Sequence, residues 1–169
     1  MNDDRTFFEE FVRSHTGRAL AYCRGRLGVR DAEDVVQDVM LKLFARVEQL
    51  RALDDPLPYL YRALKNAVID RARANRQSAE LDFDIAAPED DGSAPAEMDA
   101  ALAPLMRAMS VLPADQREVV KLRYFDDLSV VQVAEVLGIA PAAAAMRLAR
   151  ARAKLKSELA RLGVRSNEE

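Results

Sequence analysis

Residues 78–99 read SAELDFDIAAPEDDGSAPAEMD: eight carboxylates, no lysine or arginine, two prolines, one glycine, and no helical spacing of apolar side chains. Such a segment has too little apolar surface to offset the entropy of ordering it, and its charges repel one another. It is expected to be a flexible acidic linker dividing the chain into two small domains, 1–77 and 100–165. On both sides of it the apolar spacing is helical, aromatics make up only 6% of the residues, and tryptophan is absent. Strands draw on β-branched and aromatic residues, whereas alanine and leucine favour helix, so the predicted fold class is all-α.

The net charge of −3 conceals this division. Residues 1–76 hold 14 Lys/Arg against 12 Asp/Glu, and residues 102–169 hold 11 against 8. Two mildly basic modules therefore flank an acidic strip, and the acidic total does not argue against a nucleic-acid partner. No apolar run approaches the roughly 20 residues that span a bilayer. The N-terminal MNDDRTFFEEF lacks the basic-then-apolar plan of a signal peptide, so a soluble, cytoplasmic protein without membrane insertion is expected. One cysteine, Cys23, and one histidine, His15, offer neither an internal disulfide nor a metal cluster, and Cys23 is expected inside a helix core. No cofactor motif, nucleophile–base pair or phosphate-cradling glycine loop emerges, so nothing points to an enzyme.

The spacing predicts three helices before the linker: 4–27, ending at Gly28; 31–50, with Val35, Val36, Val39, Met40, Leu43, Phe44, Val47 and Leu50 on one stripe; and 58–76, after a loop holding Asp54, Asp55, Pro56 and Pro58. After the linker come helices to 111, over 114–125, over 130–137 and over 141–162. Ser129 with Gln132 fits a capping box, Gly138 a turn, and Pro141 the first position of a helix. A short helix, a glycine turn and a longer basic helix form a helix-turn-helix.

The helical faces carry the chemistry. Opposite the stripe of the second helix lie Asp34, Gln37, Asp38 and Leu41, with Asp31 and Glu33 in the first turn, where carboxylates suit the helix dipole. A leucine ringed by carboxylates suits a basic, partly apolar protein partner better than water. In the third helix Leu60, Leu64, Ala67 and Val68 face inward, and Tyr59, Arg62, Asn66, Asp70, Arg73 and Arg76 line the outward side. That set supplies phosphate cations, base-edge hydrogen-bonding groups and an aromatic stacking surface, which suits single-stranded DNA. In the last helix Ala144, Leu148, Ala151, Leu155 and Leu159 form the inward stripe, with Ala143, Arg147, Arg150, Lys154 and Arg161 opposite. The second helix of a helix-turn-helix lies in the major groove, where Arg147 and Arg150 are the strong hydrogen-bonding candidates.

These segments together resemble the extracytoplasmic-function (ECF) group of bacterial RNA polymerase sigma factors, in the sigma-70 superfamily. DAEDVVQDVMLKLF (31–44) resembles the region 2 helix that binds the β′ clamp of core polymerase, and PYLYRALKNAVIDRARANRQ (58–77) the segment that reads and melts the −10 element. LPADQREVVKLRYFDDLSVVQVAEVLGIA (112–140) with RLARARAKLK (147–156) resembles region 4, which binds the −35 element and the β flap. The resemblance implies that Asp31, Glu33, Asp34, Gln37, Asp38 and Leu41 contact the clamp. It places Tyr59, Arg62, Asn66, Asp70, Arg73 and Arg76 at the −10 strand, and Ala143, Met146, Arg147, Arg150 and Lys154 at the −35 duplex. It further implies catalysis by the polymerase alone and control by an anti-sigma factor. One departure stands out: the recognition helix begins Pro-Ala-Ala-Ala-Ala-Met at 141–146, where the family places polar or basic residues, and Ala140 supplies no capping oxygen. Such side chains touch thymine methyls but read no donors or acceptors. A stand-alone helix-turn-helix regulator of duplex DNA is the competing reading. It leaves the outward Leu41 and the Asn66–Asp70 face without a role.

Overall fold

The computed structural model describes residues 2–81 and 96–164, which form helices and turns with no strand among them. They fall into two compact units. The first holds α1 (Asn2–Arg24), α2 (Val29–Phe44), α3 (Val47–Arg51) and α4 (Leu57–Leu81). The second holds α5 (Ala96–Val111), α6 (Ala114–Val120) with a π-helical turn over Lys121–Phe125, α7 (Val130–Leu137) and α8 (Pro141–Arg161). Helix thus enters the expected linker from both ends, and residues 82–95 of that stretch lie outside the described residues. Among the described residues no single helix is long and apolar enough to cross a membrane.

In the first unit the inward faces of α1, α2 and α4 meet. Ala32, Val35, Val36, Val39, Met40 and Leu43 are buried at helical spacing along α2. They pack against Phe11, Ala19, Tyr22 and Cys23 of α1 and Leu60, Tyr61, Leu64 and Val68 of α4. Tyr61, fully buried, meets Tyr22 edge-on at 5.3 Å, an aromatic pair at the centre of the core. Cys23 is fully buried in the helix core, as the sequence predicts.

The second helix ends earlier than its periodicity suggests. α2 stops at Phe44, the backbone breaks at Arg46, and α3 folds back against α1. A continuous helix would carry Leu50 roughly 10 Å beyond Leu43 and past the core. The break instead buries Leu50 to 1% exposure. Arg51 then reaches the first turn of α1, donating to Asp4 at 2.8 Å and pairing with Asp3. The Asp55 carboxylate accepts from the Leu57 amide at 3.1 Å and starts α4.

In the second unit one side chain ends α5 and anchors α6: Arg117 donates to the carbonyls of Met109, Ser110 and Leu112 at 3.0–3.1 Å. The Ser129–Gln132 capping box forms as predicted, with both reciprocal bonds present. Gly138 ends α7 in the left-handed region (φ 66°), where a side chain would be strained. α8 then leaves at 107° to α7, with Pro141 in its first turn and no side-chain cap from Ala140. That angle and turn are those of a helix-turn-helix.

Candidate protein and nucleic-acid interfaces

Because α2 spends one face on the core, its other face carries Glu33, Asp34, Gln37, Asp38 and Leu41 exposed together. Leu41 is 68% exposed and is not isolated. With Met40, Phe44 and Phe8 it lines a groove of about 510 Å³ between α1 and α2, edged by Arg5, Glu9 and Gln37. Phe44, placed on the inward stripe by periodicity, is instead half-exposed and packs on Phe8 at 5.1 Å. Phe44 lies one turn beyond Met40 at the edge of the buried stripe, on the side shared with Leu41, so it lines the groove instead of entering the core. Sequence reasoning missed Phe8; the legible signal was phenylalanine at 7, 8 and 11, more aromatic surface than one narrow stripe absorbs. The Arg5 guanidinium pairs with Glu9 at 2.9 Å, and Asp34 and Asp38 stand exposed on the same face of α2 as Leu41.

Asp31, grouped with these acids by sequence, is engaged elsewhere. One carboxylate oxygen accepts from Arg71 at 3.0 Å and the other from Asn75 at 2.9 Å, both on α4. Asp31 and Arg71 are each about 30% exposed, so the pair is partly shielded from water. Glu33 lies 3.6 Å from Arg24 of α1 and remains half-exposed.

Along α4 the outward face appears as expected. Arg62, Asn66, Asp70, Arg73 and Arg76 are exposed, Ile69 joins them at 39%, and Tyr59 is half-buried near Arg46, whose guanidinium donates to the Tyr59 hydroxyl at 3.5 Å. Among the described residues neither Asn66 nor Asp70 forms a hydrogen bond or ion pair, so both present open polar groups. The Asp31 clasp at Arg71 and Asn75 fixes the rotation of the same helix one turn further on.

In α8 Ala144, Leu148 and Ala151 pack inward against α6 and α7, with Leu155 and Leu159 half-buried below. The exposed ridge runs through Ala142, Ala145, Met146, Ala149, Arg150 and Ala153. It is rotated from the line expected through Ala143 and Arg147. Ala143 is half-buried, and Arg147 Nε turns back to Asp115 of α6 at 3.8 Å. Packing of α6 on α8 causes that rotation, and periodicity within α8 alone does not report it. Arg150, Arg152 and Lys154 stay exposed on the cationic flank. At the far end Arg161 pairs with Glu158 and holds that carboxyl below its ordinary range through the hydrogen bond.

A two-unit helical protein whose second unit ends in a helix-turn-helix with a cationic second helix is built to bind DNA. The family model for sigma-70 region 2 matches residues 11–78, and that for sigma-70 region 4 matches residues 102–155. The ECF RNA polymerase sigma factor SigM of Mycobacterium tuberculosis is 30% identical over 90% of this chain and 76% of its own length. A probable RNA polymerase sigma factor of Xanthomonas campestris, RfaY, is 35% identical over 85% of the chain, which spans only 37% of that relative. The solved structure of CnrH in complex with the cytosolic domain of CnrY matches with a TM-score of 0.63 at 26% identity, over 92% of this chain and 88% of CnrH. The chain belongs to the ECF group of sigma-70 RNA polymerase sigma factors.

Proposed function

We propose that this protein docks on core RNA polymerase through the α1–α2 groove and directs it to promoters, reading the −10 strand with α4 and the −35 duplex with α8. The observation that carries the reading is Leu41, 68% exposed among Asp34, Gln37 and Asp38 and continuous with Phe8 and Phe44. A helix–coil surface with an apolar side chain flanked by lysine or arginine complements it, which fits a coiled-coil clamp. On α4, Asn66 and Asp70 offer hydrogen bonds to an unstacked base while Arg62, Arg73 and Arg76 neutralise strand phosphates. The boundaries that suit this division are 1–77 for region 2, 78–99 for the acidic linker and 100–165 for region 4. The protein makes and breaks no covalent bond; nucleotide addition belongs to the polymerase.

Control by an anti-sigma factor in the cytoplasm completes the proposal. It is supported by CnrH, which was solved bound to the cytosolic domain of another protein.

The test is run-off transcription from pooled genomic fragments with bacterial core polymerase, with and without the chain. Expected are new transcripts with defined starts that disappear when Asp34 and Asp38 are both changed to Lys. Duplex protection without polymerase, and no new transcripts, would overturn the reading in favour of an autonomous regulator.

A further inference from the structure

Side chains able to read donors and acceptors are missing from the very part of α8 that a helix-turn-helix places against base edges. Residues 141–146 are a proline, four alanines and a methionine. Their exposed members are Pro141, Ala142, Ala145 and Met146; the last three continue through Ala149 into a smooth apolar ridge, and Met146 is 56% exposed. The first polar group beyond them, Arg147, is drawn back: its side chain is 35% exposed and its Nε faces Asp115 at 3.8 Å. Arg150, one turn further along, is the nearest exposed cation on the ridge.

The major groove offers such a ridge one apolar feature, the C5-methyl of thymine, since every other distinguishing group there is a donor or an acceptor. Alanines add a second property. Being short, they let the helix backbone approach the base edges closely, so that a flexible methionine fills the space beside the methyls. We propose that this protein selects its −35 element by thymine methyl groups gathered along Ala142, Ala145 and Met146, with Arg150 as the hydrogen-bonding reader and Arg147 as a residue that positions α8 on α6. The inference rests on the reading of α8 as the −35 helix and adds the chemical identity of what it recognises.

The experiment uses holoenzyme assembled from full-length chain and core polymerase. Promoter duplexes randomised over the −35 element are selected for binding, and the winners are remade with deoxyuridine for thymidine, which deletes the methyl and keeps every hydrogen bond. Expected is enrichment of A·T pairs, with affinity falling about fourfold for each contacted methyl removed. Placing 5-methylcytosine at a C·G pair in the same position should recover part of the loss. Met146→Ala should shrink the thymidine–deoxyuridine difference, and because Met146 is exposed the variant should unfold at the wild-type temperature. Equal binding of thymidine and deoxyuridine promoters, enrichment of G·C pairs that depends on Arg147, or no enrichment at all would each overturn the proposal. Transcription from the same promoters separates its failure from that of the function itself. Promoter-dependent transcripts that ignore the methyl sink only the methyl reading, and loss of all transcripts sinks the sigma reading beneath it.

Discussion

Removing the Leu41 side chain beyond its Cβ tests whether the α1–α2 groove holds polymerase by apolar burial. Leu41 is 68% exposed in the free chain, so about two thirds of its surface remains to be covered by a partner. Full burial of a leucine contributes about 1.5–3 kcal/mol, which leaves about 1–2 kcal/mol to be gained on docking. Leu41→Ala forfeits most of that and should weaken core binding roughly 5- to 30-fold. The fold should be indifferent, because an exposed helix position exchanging leucine for alanine stays within about 0.5 kcal/mol. The assay is fluorescence anisotropy of labelled full-length chain titrated with core polymerase at two salt concentrations. Salt separates the two components of the surface. The loss from Leu41→Ala should persist at high salt, whereas the losses from Asp34→Asn and Asp38→Asn should shrink as the charges are screened. Wild-type affinity for Leu41→Ala at both concentrations would show that the groove is not the docking surface.

Two further outcomes follow from the clasp and from the histidine. Asp31→Asn removes the charge that holds Arg71 and Asn75, so α4 loses its rotational anchor. Holoenzyme carrying it should bind single-stranded −10 DNA several-fold more weakly at unchanged core affinity, and the reverse pattern would return Asp31 to the clamp contacts. His15 sits edge-on to Phe11 at 4.7 Å with its Nδ1 unpartnered; burial, reinforced by Arg18 and partly opposed by Asp55, lowers its pKa below the ordinary 6.5. The unfolded chain therefore binds this proton more readily, and the stability that neutral His15 contributes is present above pH 6.5 and declines as pH falls through the folded value. Hydrogen exchange of α1–α4 amides should show this decline in wild type and a smaller one in His15→Gln; identical profiles would refute the assignment.

What the sequence determined by itself is everything that depends on neighbours three or four residues apart. The inward stripe over Val35–Leu43, the Ser129–Gln132 box, the Gly138 turn and Pro141 at the start of α8 all stand where their spacing puts them. The outward set of α4 was legible for the same reason, since burying Leu60, Leu64 and Val68 leaves the opposite face no choice. Tertiary structure decided which helices meet, and with that the fate of several polar side chains. Asp31 is joined to residues 40 and 44 positions away, and Arg51 to one 47 positions away. Arg147 turned from the groove-facing line to Asp115, and Phe8 met Phe44 to widen the groove beside Leu41. Periodicity states that a face is buried or exposed but contains no information about which face lies across from it. The ends of α2 and the pairing of Asp31 and Arg147 therefore became definite only when the helices packed.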